Sequence, residues 1–209
     1  MDFNEYEKVK NLNYKEYCTY LQDKYGIPNL PYFNTKSIKN KISRTSDGLF
    51  IHHIKEDVAI MLSDKNWAKM FPYEYQLSNE LVYCDYLEHL LLHILICENL
   101  NPNRDPLCAP GIGGVQNFLV PQLNDFYSGF PTKRKWEQYC FDKVKNDYDV
   151  YKLLVKRFKH NCSDYKIGKF IYEEDKLYSS FNATRKKPDG TNLWDINNDK
   201  KVIDELKLL

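Results

Sequence analysis

The sequence predicts an α+β protein that is mostly helical. Apolar residues recur at helical spacing over residues 14–25, 86–97 and 133–160, a pattern typical of helices with one buried face. Two short runs, LFIHHI at 49–54 and LVYC at 81–84, are rich in the β-branched and aromatic residues that strands favour. The chain therefore combines a few short strands with longer helices.

The first predicted helix covers residues 14–25 and has one apolar face. That face comprises Tyr14, Cys18, Leu21 and Tyr25. Gly26 and Pro28 follow, and both residues are typical of the end of a helix. A loop rich in proline and asparagine then leads to a basic segment at residues 36–44.

The two predicted strands are separated by a long polar segment. The turn signal TSDG precedes the first strand, and residues 55–80 between the strands are irregular. A short helix is expected around SDKNWAKM at 63–70, with a break at Pro72. The acidic residues of this segment have the spacing of a surface loop: Glu56, Asp57 and Asp64.

The second strand leads directly into the most apolar helix of the chain. Asp85 is predicted as its N-cap, and Glu88 three residues later is the partner of a capping box. The helix runs from Tyr86 to about Cys97. Its strongest apolar stripe lies opposite two histidines and comprises Leu87, Leu91, Ile94 and Leu95.

The remaining elements are helical. GIGGV at 111–115 is predicted as a tight turn, and the pattern of residues 118–130 assigns no element. Two helices are expected within 133–160 and a terminal helix at 200–209. The residues predicted to point inward in the first two are Trp136, Cys140, Val144, Val150, Leu154 and Phe158.

Charge is locally concentrated although the net charge is only +1. The basic segment has no acidic residue and carries Lys36, Lys39, Lys41 and Arg44. Residues 131–160 hold nine basic residues, including Lys133, against four acidic ones. Either run is a solvated face or a contact with a polyanion, and the overall charge does not decide between them.

The cysteine and apolar patterns predict a cytoplasmic protein. The six cysteines are dispersed without a C-x-x-C pair, so reduced core thiols are expected rather than disulfides. The N-terminal segment lacks the apolar core of a secretory signal, and the longest apolar run, LLLHILIC, is too short for a membrane span. We therefore expect no membrane association.

Four of the five histidines fall in two short stretches. His89 and His93 are four residues apart and project from one helix face, where such pairs bind divalent metals or lie satisfied at an interface. His52 and His53 are consecutive on a strand and should point to opposite sides. One of them can hold a metal while the other addresses water or a substrate.

In these residues the sequence resembles the HNH endonucleases, whose catalytic unit is a ββα-metal finger. Members of this family often read HHI on the first strand, then N-L-V-Y after a loop, and then H-x-x-x-H on a helix. This chain reads His52-His53-Ile54 and then LVYCDYLEHLLLH over 81–93. The resemblance covers about residues 44–97 and implies a ββα-metal finger embedded in a helical domain.

The resemblance also implies a role for each histidine. His53 corresponds to the general base that activates water, with its other nitrogen held by a backbone carbonyl. His52 and His89 correspond to metal ligands, and His93 to the third ligand of the all-histidine branch. Three neutral imidazoles favour Zn²⁺, Ni²⁺ or Mn²⁺, and Mg²⁺ stays open if phosphate and water complete its coordination.

The chain departs from the family pattern at two points. The family's central Asn, which ties the loop together, falls at Glu80, and the nearest Asn is Asn79. A bulge or another residue must therefore fix the loop. The interval from His53 to His89 is also long, which predicts an inserted segment at about 57–78 over or beside the site.

The resemblance predicts a metal-dependent endonuclease that hydrolyses DNA, with double-stranded DNA as its partner. The basic segment enters the first strand directly and would grip phosphates. We expect a nuclease domain at residues 1–130, with its ββα core at about 47–97, and a helical region at 131–209 packed on it. An RNA nuclease of the same fold and a non-catalytic, metal-stabilised DNA-binding or inhibitory protein are the alternatives. The oligomeric state stays open, with a homodimer among the options.

Overall fold

The computed structural model describes residues 1–104, 108–132, 134–167 and 170–209. Its helices are α1 Phe3–Val9, α2 Tyr14–Tyr25, α3 Lys65–Ala68, α4 Tyr86–Glu98, α5 Val120–Tyr127, α6 Lys135–Asp142, α7 Tyr148–Asn161 and α8 Lys200–Lys207. Its strands are β1 Phe50–His53, β2 Leu81–Cys84, β3 Lys166–Ile167 and β4 Phe170–Ile171. The predicted α+β, mostly helical class is confirmed.

Strands β1 and β2 pair antiparallel and lead into α4. In their register His52 lies opposite Val82 and His53 lies opposite Leu81. The side chain of Asp85 accepts a hydrogen bond from the Glu88 backbone, and the Glu88 carboxylate accepts one from the Asp85 backbone. This capping box, as predicted, fixes where α4 begins and therefore the direction in which it leaves the strand pair.

Helix α4 is the centre of the main hydrophobic core. Leu87, Leu90, Leu91 and Ile94 are fully buried, so apolar residues cover more than the single stripe that the sequence predicts. A helix that is apolar on nearly all sides must be surrounded by other elements. Its neighbours are α2, α7 and the helical segment before α5.

Residues 111–127 differ from the predicted tight turn. Only Gly111 has a turn conformation, with φ +81° in the left-handed region that favours glycine. Residues 112–127 then form one helix that includes a π-helical segment, Gly114–Leu119, and α5. The sequence assigns no element to residues 118–130, most of which belong to this helix.

Helix α7 is tied to α4 by a bidentate ion pair. The Arg157 guanidinium donates to the Glu98 carboxylate at 2.6 and 2.7 Å and also to the Lys10 carbonyl at 2.7 Å. The main core cluster contains side chains from α1, α2 and α4 to α8. Helices from both sides of residue 130 therefore share one set of buried contacts.

The predicted inward residues of 133–160 are buried with one exception. Cys140, Val144, Val150, Leu154 and Phe158 are buried, which confirms the helical spacing, whereas Trp136 is 36% exposed and its prediction is wrong. The Trp136 ring lies instead at the surface beside Phe50, with ring centroids 6.4 Å apart. Lys133 of the second basic run lies outside the described residues.

The sequence predicts that no segment is long and apolar enough to span a membrane. None of the helices in the described ranges combines the length and the apolarity that a transmembrane segment requires.

We expect Leu154→Ala to lower the free energy of unfolding by about 3 kcal/mol, because it removes a fully buried side chain and leaves a cavity. Urea unfolding followed by circular dichroism measures this change. Leu153→Ala is the matched control on the same helix, since Leu153 is only partly buried, and we expect it to cost about 1 kcal/mol or less. Equal losses in the two variants would contradict the packing of α7.

Candidate metal centre

Three of the predicted site residues converge at the junction of β1 and α4. His52, His89 and His93 each present one ring nitrogen, and these three atoms lie within 4.8 Å of one another. His89 Nε2 and His93 Nε2 are 3.2 Å apart. His52 and His93 are buried, whereas His89 is partly exposed. The group has the donor type and spacing of a site that can hold a metal ion.

Tyr14 on α2 orients His52. Its hydroxyl donates to the Ile54 carbonyl at 2.9 Å, so its oxygen is left to accept from His52 Nε2 at 2.8 Å. Burial raises the pKa of Tyr14 well above its ordinary value, so the hydroxyl keeps its single proton. His52 therefore carries its proton on Nε2, and the lone pair of Nδ1 is free for a ligand.

His93 is held by a close contact with Gly114. A Cβ atom at position 114 would lie 2.5 Å from Cε1 and Nδ1 of the His93 ring, which is far inside van der Waals contact. Because the backbone blocks this edge, the ring presents Nε2 to His89. The third glycine of GIGGV, Gly114, therefore has a defined role in the helix that packs on α4.

His53 lies outside the trio, as the alternation of strand residues requires. Its side chain is fully buried, and its ring meets Tyr32 edge to face with centroids 4.7 Å apart. Its Nε2 lies 3.3 Å from Oε1 of Gln76, whose amide nitrogen donates to the Leu62 carbonyl at 3.2 Å. That donation identifies Oε1 as the atom facing His53.

This contact fixes the tautomer of His53. An amide oxygen only accepts, so Nε2 must donate and Nδ1 keeps its lone pair. Nδ1 is buried and has no hydrogen-bond partner among the described residues. The partner of the ring is thus the Gln76 side chain and not the backbone carbonyl that the resemblance implies.

A carboxylate that the sequence assigns to a surface loop lies beside three of these histidines. Glu56 sits on the turn Ile54–Asp57 directly after β1. Its Oε2 is 3.5 Å from His52 Nδ1 and 3.6 Å from His93 Nε2, and its Oε1 is 3.8 Å from His53 Nδ1. The surface-loop interpretation of Glu56 is therefore wrong, because the short turn folds the side chain back onto the site.

Burial controls the protonation of the centre. Desolvation lowers the pKa of His53 and of His89 to about 4, and it lowers the pKa of His52 and His93 well below the ordinary value, with the neighbouring imidazoles adding to the effect for these two. Burial also raises the pKa of Glu56 to about 8. All four imidazoles are therefore neutral at pH 7, which is the state that binds metals.

The predicted phosphate contacts divide into two kinds. Lys36, Lys39 and Lys41 are exposed, and Lys39 donates to the Tyr32 hydroxyl at 2.6 Å, one side chain away from His53. Arg44 instead pairs with Asp47 at 2.9 Å, donates to the Tyr25 carbonyl and lies over the Tyr83 ring. Its guanidinium is engaged within the chain, so the lysines are the more available cations.

The predicted loop residues lie in the turn before β2. The backbone carbonyl of Asn79 accepts from Gln22 at 3.0 Å, and the Glu80 carboxylate lies 3.7 Å from Lys55. Neither side chain contacts His53 in this arrangement. Gln76, buried three residues earlier, connects the inserted segment to β1 through His53 and Leu62. It is the residue that fixes this loop.

Comparison with protein-family models, with curated proteins and with solved structures gives no match to this chain.

The arrangement has the properties of a transition-metal site. Three neutral imidazoles bind Zn²⁺, Ni²⁺ or Mn²⁺, and a carboxylate beside them offers oxygen to the same ion. The buried nitrogens His52 Nδ1 and His93 Nδ1 have no hydrogen-bond partner among the described residues. For His52 this free nitrogen is the one that faces the carboxylate, so the donor set fits a metal ion.

Sequence reasoning did not find four residues of the centre. Tyr14 and Gly114 look like a core tyrosine and a turn glycine, and Gln76 is one polar residue among many. The spacing of Glu56, three and four residues after the histidine pair, is the signal that could have identified it, since a single turn after a strand brings such a residue back beside that pair.

We expect the metal-free protein to bind about one equivalent of Ni²⁺ or Zn²⁺ and His89→Ala to bind it at least tenfold more weakly, because a ligand is lost. Equilibrium dialysis with metal analysis measures both stoichiometry and affinity. His160→Ala is the control, since His160 is exposed on α7. If His89→Ala kept the parent's metal content, the ligand assignment would be wrong.

We expect Gly114→Ala to weaken metal binding by about tenfold or more, because the new methyl group must displace the His93 ring. Gly113→Ala is a closely matched control, since a Cβ there would meet no atom nearer than 3.8 Å. Calorimetric titration of both variants compares the affinities. Identical binding by the two would show that the contact with His93 does not orient the ring.

Proposed function

We propose that the chain is a metal-dependent endonuclease of the HNH type, in which β1, β2 and α4 form a ββα-metal unit. The observation that carries the proposal is the division of the four histidines. Three nitrogens lie within 4.8 Å of one another, and the fourth ring stays outside this group with an unpaired Nδ1. This is the division that the resemblance implies.

The proposed reaction is hydrolysis of a phosphodiester bond in DNA. A divalent ion held by His52, His89 and His93 would stabilise negative charge on the scissile phosphate and the leaving oxygen. His53 Nδ1 takes a proton from the attacking water, because its lone pair is free at neutral pH. Gln76 keeps the other nitrogen protonated, and Oε1 of Glu56 lies 3.8 Å from the Nδ1 that takes up the proton.

The proposed substrate contacts are the lysines of the basic segment. Lys36, Lys39 and Lys41 are exposed and lie on the chain that carries Tyr32 over His53. Contacts between lysines and phosphates release counterions, so binding should weaken steeply as salt increases. Three such contacts predict a slope near −3 in a plot of log affinity against log salt concentration.

One observation favours a second candidate. His53 is fully buried under Tyr32 and residues 62–76, an environment that suits a structural metal site better than an open catalytic one. A metal-stabilised DNA-binding or inhibitory protein would need the same trio but not the free Nδ1. The two candidates therefore differ in what removal of the His53 imidazole does.

We expect His53→Ala to lower the rate of DNA cleavage by a factor of about 10² to 10⁴, because the base is lost while the metal ligands remain. The assay is conversion of supercoiled plasmid to nicked and linear forms with Mg²⁺, Mn²⁺, Ni²⁺ or Zn²⁺, read on a gel. Metal content, DNA affinity and the circular dichroism spectrum should match the parent. A matched RNA substrate in parallel distinguishes the two nucleic acids.

A variant of a histidine outside the centre serves as the control. His160→Ala, on the exposed side of α7, should cut DNA as fast as the parent. A parent protein that binds metal and DNA but cuts neither DNA nor RNA with any of the four metals would favour the structural candidate. Cleavage by His53→Ala at the parent's rate would refute the base assignment.

A further inference from the structure

The carboxylate of Glu56 has contacts that point to a cation. Its side chain is 16% exposed. Its polar neighbours are nitrogens of His52, His53 and His93, at 3.5 to 3.8 Å. Both carboxyl oxygens therefore face imidazole nitrogens, and an ion between these atoms would have oxygen and nitrogen donors on both sides.

The nearest basic side chain in sequence does not pair with Glu56. The neighbouring Lys55 points its ammonium to Glu80 at 3.7 Å. Asp57, the next carboxylate, accepts a hydrogen bond from the Asn101 side chain at 2.6 Å. Glu56 is thus the carboxyl group of this turn that faces the imidazole nitrogens.

The distances match the edges of a coordination sphere. Ligand atoms about 2.1 Å from a metal lie about 3.0 to 3.4 Å apart at octahedral or tetrahedral angles. His89 Nε2 and His93 Nε2 are 3.2 Å apart, and Glu56 Oε2 lies 3.5 and 3.6 Å from its two imidazole neighbours. The three imidazole nitrogens span up to 4.8 Å, so binding one ion would draw the rings together by about an ångström.

We propose that Glu56 is the fourth ligand of the metal centre, through Oε2, so that the site offers three nitrogens and one oxygen. This inference rests on the metal centre of the proposed function and deepens it. The second oxygen, Oε1, remains toward His53 Nδ1. One carboxylate therefore links the metal ligands to the ring that stays free.

The fourth ligand determines which metals leave room for a substrate. Zn²⁺ prefers four ligands in proteins, and three histidines with one glutamate would complete its coordination. A six-coordinate ion such as Mn²⁺ or Ni²⁺ would keep two positions for phosphate and water. We therefore expect Zn²⁺ to bind tightly without supporting cleavage, and Mn²⁺ or Ni²⁺ to support it.

The test compares metal binding by the full chain and its Glu56→Gln variant. We expect Glu56→Gln to bind Mn²⁺ at least tenfold more weakly in a calorimetric titration, because a neutral amide oxygen replaces a charged ligand. The absorption spectrum of the Co²⁺-loaded variant should also differ from that of the parent. Glu74→Gln is the matched control, since Glu74 is an exposed glutamate of the same segment and its change in charge is equal.

A second variant and a folding measurement distinguish the loss of a ligand from the loss of the fold. Glu56→Ala should weaken Mn²⁺ binding by the same factor or more, and circular dichroism establishes that each variant is folded. Mn²⁺ affinities within twofold of the parent in both variants, with an unchanged Co²⁺ spectrum, would overturn the ligand assignment. That result would leave Glu56 as a partner of His53 only.

The test separates this inference from the proposed function. Weaker Mn²⁺ binding by Glu56→Gln supports the fourth ligand even if the parent cuts no nucleic acid, and in that case the nuclease proposal fails alone. A parent that cuts DNA while both Glu56 variants bind Mn²⁺ normally has the proposed function without this ligand. A parent that binds none of Mn²⁺, Ni²⁺, Co²⁺ and Zn²⁺ overturns both.

Discussion

Buried imidazoles beside one another impose the constraint on which the rest of this site depends. Desolvation makes each ring neutral, and a neutral ring has one nitrogen that donates and one that accepts. Every donating nitrogen then needs a fixed partner, and every free lone pair needs a cation or a proton source. Tyr14 and Gln76 are such partners, for His52 and His53 respectively. They come from separate parts of the chain, so the histidines of β1 depend on residues outside the β1, β2 and α4 unit.

Helix α4 serves the core and the site at once. Its leucines fix its position against α2 and α7, while His89 and His93 face β1. The capping box at Asp85 sets the first turn, and the register of β1 with β2 sets the height of His52 relative to that turn. Any change that slides the strand pair by one residue would exchange His52 for His53 in the trio.

The sequence predicts the parts of this fold that local patterns determine. Strand content, the capping box and the helical spacing of Leu154 and Phe158 are local properties, and the structure confirms them. Spacing on a helix pairs His89 with His93, and alternation on a strand allows only one of His52 and His53 to join them, whereas the choice of His52 comes from the resemblance. Trp136 does not follow the helical spacing of buried residues. Its ring packs against Phe50 at the surface and stays partly exposed to solvent.

The remaining site residues depend on tertiary contacts that no spacing encodes. Gly114 approaches His93 because a π-helical segment packs across α4, and nothing in GIGGV specifies that crossing. Gln76 could not be distinguished from other polar residues of the inserted segment, since its burial follows from how that segment folds over His53. Gln76, three residues before Asn79, is the side chain that links this loop to His53.

Access to the centre follows from the same packing. The Tyr32 side closes over His53, whereas His89 is the partly exposed member of the trio and lies beside Phe50, with ring centroids 6.0 Å apart. Phe50 in turn contacts Trp136 at the start of α6, next to the exposed Arg134 and Lys135. For the proposed reaction, a phosphate that approached the trio from this side would pass a basic and aromatic edge. Since His53 lies on the closed side, a water activated by it would have to occupy the space that Glu56 shares with the trio, so the proposed hydrolysis depends on the position of that side chain.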